Sequence, residues 1–403
     1  MDYEAELAQK AKALGTLLSP LAGPQRLCEA LLAPPGMEIR RSPARHFRAR
    51  TVVSVGAVHV ESGDPSGLFR LVPGEGGTMR LAANLDVETL VEPVAAALPA
   101  LAHLLSEGEP CGGLQPGLRC VKLHATTGGE PRQLLCCLVY GPDATAPEEA
   151  ALAGLRGALG TALTEAGQAV DVTVMAQARG VQRCVPEGHD YVDESLVLAG
   201  RTLRYRQPFG QFSNPNPAIA VATGEWLLDI VRTAVNGGGE PCTDLLELYC
   251  GAGSHTVALA PLFRHVLAVE INRHLVAAAN HNVAANGLEN VTVVRAPSEE
   301  FCKRVIRRRS YELRDKEGNA RMQLDFGCTV VDPPRAGLDR VTLDAVRGYG
   351  HVLYVSCNPE ALRADLSELL ETHEVCRLVL LDHFPRSSHV ETAVHLRRRA
   401  GGP

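Results

Sequence analysis

Leu245-Leu246-Glu247-Leu248-Tyr249-Cys250-Gly251-Ala252-Gly253-Ser254, with Glu270 standing 19 residues after Gly251, is the stretch that decides the fold. A short apolar run reads as a buried strand, and the two glycines permit a tight turn that lets a ligand approach the backbone. A helix opens at Ser254, and a second apolar run, His265–Glu270, ends in an acid. Strand, glycine turn, helix, strand and acid form a nucleoside-cofactor unit, in which the acid takes the two ribose hydroxyls. Thr256 occupies the place of a third glycine, and the turn alone does not choose between NAD and S-adenosylmethionine.

Further along, apolar strands alternate with helical segments: Val291–Arg295, Cys328–Asp332, His351–Ser356, Arg377–Asp382 and a last strand near Thr392–Leu396, after a helix at Pro217–Val235. This rhythm predicts a parallel, doubly wound α/β sheet, whose ligands sit at the carboxyl ends of the strands. Three such ends carry chemistry. Asp332-Pro333-Pro334-Arg335 puts a carboxylate on a loop that two prolines hold rigid. Ser356-Cys357-Asn358-Pro359 places a thiol just before a helix, where free N–H groups are expected to lower its pKa and make Cys357 a nucleophile. His389-Val390-Glu391 sets a carboxylate at the turn into the last strand, a candidate general base.

Upstream of about 205 the pattern is mixed α+β. Helical periodicity covers Glu4–Leu32, Val91–Leu105 and Pro147–Ala166; strand character covers Thr51–Glu61, Leu134–Tyr140 and Val170–Ala176. The expected division is therefore 1–205, an N-terminal domain, and 206–403, the cofactor-binding domain.

At 403 residues, 45% hydrophobic and 21% charged, the chain has the composition of a globular protein. Its longest apolar runs, such as Val94–Ala102, fall far short of the ~20 residues of a membrane span. The start, Met1-Asp2-Tyr3-Glu4, lacks a basic region followed by an apolar one, so a cytoplasmic location is expected. None of the 12 cysteines forms a Cys-x-x-Cys pair, which argues against zinc, an iron–sulfur cluster or a redox couple; no metal is expected. Net charge is −6, but the basic residues cluster at Arg40, Arg41, Arg45, Arg48 and Arg50, and again at Lys303, Arg304, Arg307, Arg308, Arg309, Arg314 and Lys316. The first cluster, with His46 and Phe47, is a candidate RNA surface.

Taken together, Gln211-Phe212-Ser213-Asn214-Pro215-Asn216, Leu245–Gly253, Asp332–Arg335, Ser356–Pro359 and Glu391 resemble the RNA uracil-5-methyltransferases, most closely the branch acting on tRNA. Tyr3–Leu7 and Arg41–Arg50 are similar to that branch's N-terminal domain. The resemblance implies a Rossmann-like methyltransferase domain, S-adenosylmethionine as cofactor, and the T-loop uridine of tRNA as substrate. It implies Cys357 as the nucleophile on C6 and Glu391 as the base that removes the C5 proton. It further implies cofactor contacts from Asn214, Tyr249, Gly251, Ser254, Glu270 and Asp332, although the family more usually has Gln and Asn at the places of Asn214 and Ser254. A monomer is expected. Three alternatives stay open: the same chemistry on ribosomal RNA, a tRNA-binding folding factor, and an NAD-dependent oxidoreductase, which would leave Cys357 and Glu391 unexplained.

Overall fold

The computed structural model describes residues 3–23, 27–34, 36–55, 69–73, 79–81, 87–106, 109–237, 239, 243–305, 310–314 and 320–399. Two compact units emerge: Met1–Ser42 with Val197–Tyr205 and Ile219–Pro403, and Pro43–Leu196 with Arg206–Ala218. They do not follow a single cut at 205/206.

The reason is the N-terminal segment. Helix α1 (Tyr3–Leu18) and strand β1 (Met37–Arg40) belong to the first of these units. The same unit contains α2 (Pro217–Ile230), β2 (Asp244–Leu248), α3 (Ser254–Leu259), β3 (Val266–Glu270), α4 (Arg273–Ala285), β4 (Val291–Arg295), α5 (Ser298–Val305), β5 (Ser310–Arg314) and β6 (Ala320–Val331). It ends with α6 (Arg340–Val346), β7 (His351–Ser356), α7 (Pro359–Leu369), β8 (His373–Leu381) and β9 (Glu391–Arg398). The sheet order is β1-β8-β9-β7-β6-β2-β3-β4, with β5 pairing β6. Met37 to Arg40 run parallel to Leu378 to Leu381, so β1 covers the edge of β8. Leu7, Leu14 and Leu18 of α1 sit in one apolar core with Leu362, Leu366 and Leu380. Helical periodicity reveals that α1 buries a face but does not say against which sheet.

Neighbours along the path β7-β6-β2-β3-β4 are parallel, as the alternation predicted, while β5 runs antiparallel to β6. The last strand departs from it: β9 runs antiparallel to both β7 and β8. A parallel entry needs a crossover of a dozen or more residues, and only the short turn from Asp382 to Val390 separates β8 from β9.

The second unit holds a seven-stranded sheet in the order Met79–Leu81, Phe69–Pro73, Arg50–Val55, Leu118–Ala125, Arg132–Tyr140, Val170–Ala178, Val181–Val185. Helices Glu92–Leu104 and Glu149–Glu165 pack on it through Leu98, Leu101, Leu155 and Leu159. Residues 56–61 of the expected strand Thr51–Glu61, along with Cys242, Arg307, Arg308, Arg309 and Lys316, lie outside the described residues. Lys303, by contrast, forms pairs with Glu299 and Glu300 along α5, an ordinary solvated face.

The arginine cluster at 40–50 is divided between the two units. Arg48 and Phe47 are buried. Arg50 donates to the carbonyl oxygens of Gln211 and Ser213, and the His46 ring lies 2.9 Å from the Leu90 carbonyl. Arg45 pairs with Glu88, while Arg40 and Arg41, in the other unit, pair with Glu38 and Glu4. Basic runs on a sequence give charge without direction, and here much of that charge stitches the backbone together.

Candidate active site

The carboxyl ends of β2, β3, β6 and β7 gather the predicted residues. β2 is buried along its whole length, and the chain leaves it through Tyr249 at φ +60°, Gly251 at +57° and Gly253 at +80°. Left-handed backbone at a tyrosine is uncommon and marks a turn held in place by its surroundings. A Cβ added at Gly251 would meet nothing within 4 Å, so the turn borders open space. Glu270, at the end of β3, is buried and accepts from Gly251 N at 3.0 Å and Asn272 N at 2.7 Å. The carboxylate thus ties the glycine turn to the start of α4, and each oxygen keeps a second lone pair for an outside donor. The Tyr249 hydroxyl faces Asp339 at 3.4 Å, and Ser254 opens α3 with its side chain exposed.

At the end of β6, Asp332 Oδ2 lies 3.5 Å from His255 Nε2. Burial lowers the His255 pKa, but the carboxylates of Asp332 and Glu247 outweigh it and the net shift is upward. Glu247 is the unexpected member of this group. It is buried in β2, accepts from Thr256 Oγ1 at 2.6 Å, and leaves Oε1 without a partner. Desolvation raises its pKa to about 7, with Asp332 adding to the rise. A glutamate inside an apolar strand is the signal that could have exposed it, since such a charge is rarely buried without purpose.

Cys357 follows β7 directly, half-buried, ahead of the Asn358 cap of α7. The expected lowering of its pKa is reversed. Burial raises the thiol, and Glu391 and Asp332 raise it further, against a weaker opposing effect of Arg335. The helix end is already occupied, because Asn358 Oδ1 accepts from Glu360 N. Glu391 begins β9, where burial and Asp332 push its pKa to about 8. Its Oε2 lies 3.0 Å from Nε2 of the buried His383, which the sequence reading did not single out. Ser356 pairs with Thr392 across β7 and β9, so the next residue on each strand, Cys357 and Glu391, continues that antiparallel register. Asp365 of α7 braces the floor, accepting from Tyr354 Oη at 2.6 Å and from Leu338 N at 2.9 Å. Asn214 belongs to the other unit, where its Oδ1 accepts from Asn216 N at 3.0 Å.

Residues 134–399 match the family model described as tRNA (Uracil-5-)-methyltransferase. The chain belongs to that family. It is therefore an S-adenosylmethionine-dependent enzyme that methylates C5 of uracil in RNA. It is 34% identical to the tRNA/tmRNA (uracil-C(5))-methyltransferase of Aeromonas salmonicida, over 99% of this chain and 95% of that protein. It is 35% identical to the protein of the same name from an Azoarcus species, over 99% and 97%. Among solved structures, the Pyrococcus abyssi tRNA (uracil-54, C5)-methyltransferase in complex with S-adenosyl-L-homocysteine superposes with a TM-score of 0.65 at 18% identity. That superposition covers 98% of this chain and 84% of the other, and confirms the Rossmann-like fold. The oxidoreductase alternative falls away with family membership.

The residues present fit the cofactor. A buried carboxylate with spare lone pairs stands beside a glycine turn that opens onto free space, and further carboxylates suit a sulfonium cation. Among the described residues, no group of three or more His, Cys, Asp or Glu side chains could hold a metal, and no helix is long and apolar enough to cross a membrane.

Proposed function

We propose that the chain methylates C5 of the T-loop uridine of tRNA, the uracil-54 position, with Cys357 as nucleophile and Glu391 as base. The observation that carries this reading is the half-buried grouping of Cys357, Glu391 and Asp332 at one sheet edge, where each carboxylate influences the thiol. The choice of tRNA over ribosomal RNA is supported by the names of relatives that match nearly end to end.

C5 of uracil is a poor nucleophile. The Cys357 thiolate forms an S–C6 bond, and the C5=C6 electron pair shifts to give an enolate with carbanion character at C5. When bound, S-adenosylmethionine supplies an electrophilic methyl group to that carbon. Tyr249, Gly251, Ser254, Glu270 and Asp332 would hold the cofactor. Glu391 then takes the C5 proton; the released electron pair re-forms C5=C6 and expels the Cys357 thiolate. The uridine must leave its stack for this, as enzymes acting on bases require.

The test uses an unmodified tRNA transcript, methyl-labelled S-adenosylmethionine and mapping of the product by mass spectrometry. Label on C5 of the T-loop uridine, absent with Cys357→Ala, is expected. Label on ribosomal RNA alone would move the substrate. Transfer to neither, with tRNA still bound, would favour a folding factor.

A further inference from the structure

The turn between β8 and β9, which delivers Glu391, is gripped from the far end of the chain. Lys10 of α1 is buried and donates to Asp382 Oδ1 at 2.8 Å and to the Phe384 carbonyl at 2.9 Å. Tyr3 Oη donates to Asp382 Oδ2 at 2.7 Å and accepts from Ser42 N. Glu6 Oε1 accepts from Arg386 N at 2.7 Å, where the backbone is left-handed at φ +64°. Three residues of one helix thus hold Asp382, Phe384 and Arg386. Between the first two lies His383, whose Nε2 is 3.0 Å from Glu391 Oε2.

We propose that His383 is a positioning residue for Glu391, and that α1, through Tyr3, Glu6 and Lys10, fixes the turn from which it acts. The proposal rests on the reading of Glu391 as the base.

Burial, with His255 and His389 nearby, pushes the His383 pKa down to about 3, so the imidazole is neutral. With its proton on Nε2 it donates to Oε2, the bond an ionised glutamate needs and a protonated one needs less. Burial and Asp332 oppose that ionisation. The donor therefore favours the charged form in a site that otherwise resists it, and it fixes the rotamer. When the C5 proton arrives on Oε1, Oε2 continues to accept from Nε2, so no tautomer change is required.

The experiment measures, in single turnover on tRNA, how fast the SDS-stable RNA–protein adduct forms and how fast it resolves to 5-methyluridine. His383→Leu is expected to form the adduct at the unmodified rate and resolve it about tenfold more slowly, with resolution shifted to higher pH. His383→Gln, which keeps a donor, should recover most of the rate. Tyr3→Phe, which removes only the hydroxyl bound to Asp382 and Ser42 N, should slow resolution but not formation. Normal resolution by His383→Leu, while Glu391→Gln traps the adduct, would overturn the proposal and leave the base reading intact. Should Glu391→Gln resolve the adduct normally, the base reading itself fails, and this proposal with it. Normal resolution by Tyr3→Phe would overturn the part assigned to the helix.

Discussion

The Glu391 carboxylate stands close enough to the Cys357 thiol to hinder its ionisation. The proposed nucleophile and the proposed base therefore oppose one another in the free protein. Removing the carboxylate charge should lower the thiol pKa, so at a fixed alkaline pH Glu391→Gln should alkylate faster at Cys357. Iodoacetamide labelling between about pH 8 and 10, followed by peptide mass spectrometry, checks this. An unchanged or slower rate at Cys357 would contradict the arrangement.

Glu247 makes a second pH effect. Its folded-state pKa, about 7, lies above that of an unfolded glutamate. The folded chain then holds a proton that the unfolded chain has released, so this contribution to stability is full below about pH 4 and lost as pH rises through about 7. Melting temperature should fall across that interval, and less so in Glu247→Gln. Scanning calorimetry at closely spaced pH values would show it, and parallel curves for the two proteins would refute it.

Asp365 joins Tyr354 of β7 to the backbone at Leu338. Asp365→Ala leaves a buried phenol and an amide without their acceptor, at a cost of about 1–3 kcal/mol. Urea denaturation should show that loss, and methyl transfer should drop with it. A midpoint equal to that of the unmodified protein would mean that solvent takes the place of the carboxylate.

Glu270 has both oxygens bonded to backbone N–H groups, one of them in the glycine turn. Glu270→Ala should weaken binding of S-adenosylhomocysteine by about tenfold or more, with tRNA affinity unchanged. Isothermal titration measures the first and filter binding the second. Equal cofactor affinity in the two proteins would remove Glu270 from the site.

The sequence displays the site unevenly, for physical reasons. Tyr249, Gly251, Glu270, Asp332 and Cys357 are legible because strand ends in an alternating sheet are forced to one edge. Glu247 and His383 are not, because each looks like a lone charged or polar residue until burial and a partner are known. The Cys357 pKa reads the wrong way from local sequence: a helix start predicts a fall, whereas Glu391 and Asp332 arrive from other strands. The same limit hides α1 and β1, whose partners lie at the opposite end of the chain. It also makes the Arg40–Arg50 run look like a surface when Arg48 is buried and Arg50 bonds the backbone.

Tyr3 and Asp382 meet across a separation of 379 positions, and β1 pairs with β8 over a similar interval. During synthesis the first strand of the catalytic sheet emerges long before any neighbour exists for it, and the whole other unit is made in between. Contacts of such long range are slow to close, because loop entropy is lost before pairing compensates for it. This unit therefore matures last, and until β1 docks, the newly made β8 edge is exposed. Such an edge is a template for pairing between chains, so the cell's opportunity to aggregate this protein lies in that interval rather than in its folded life.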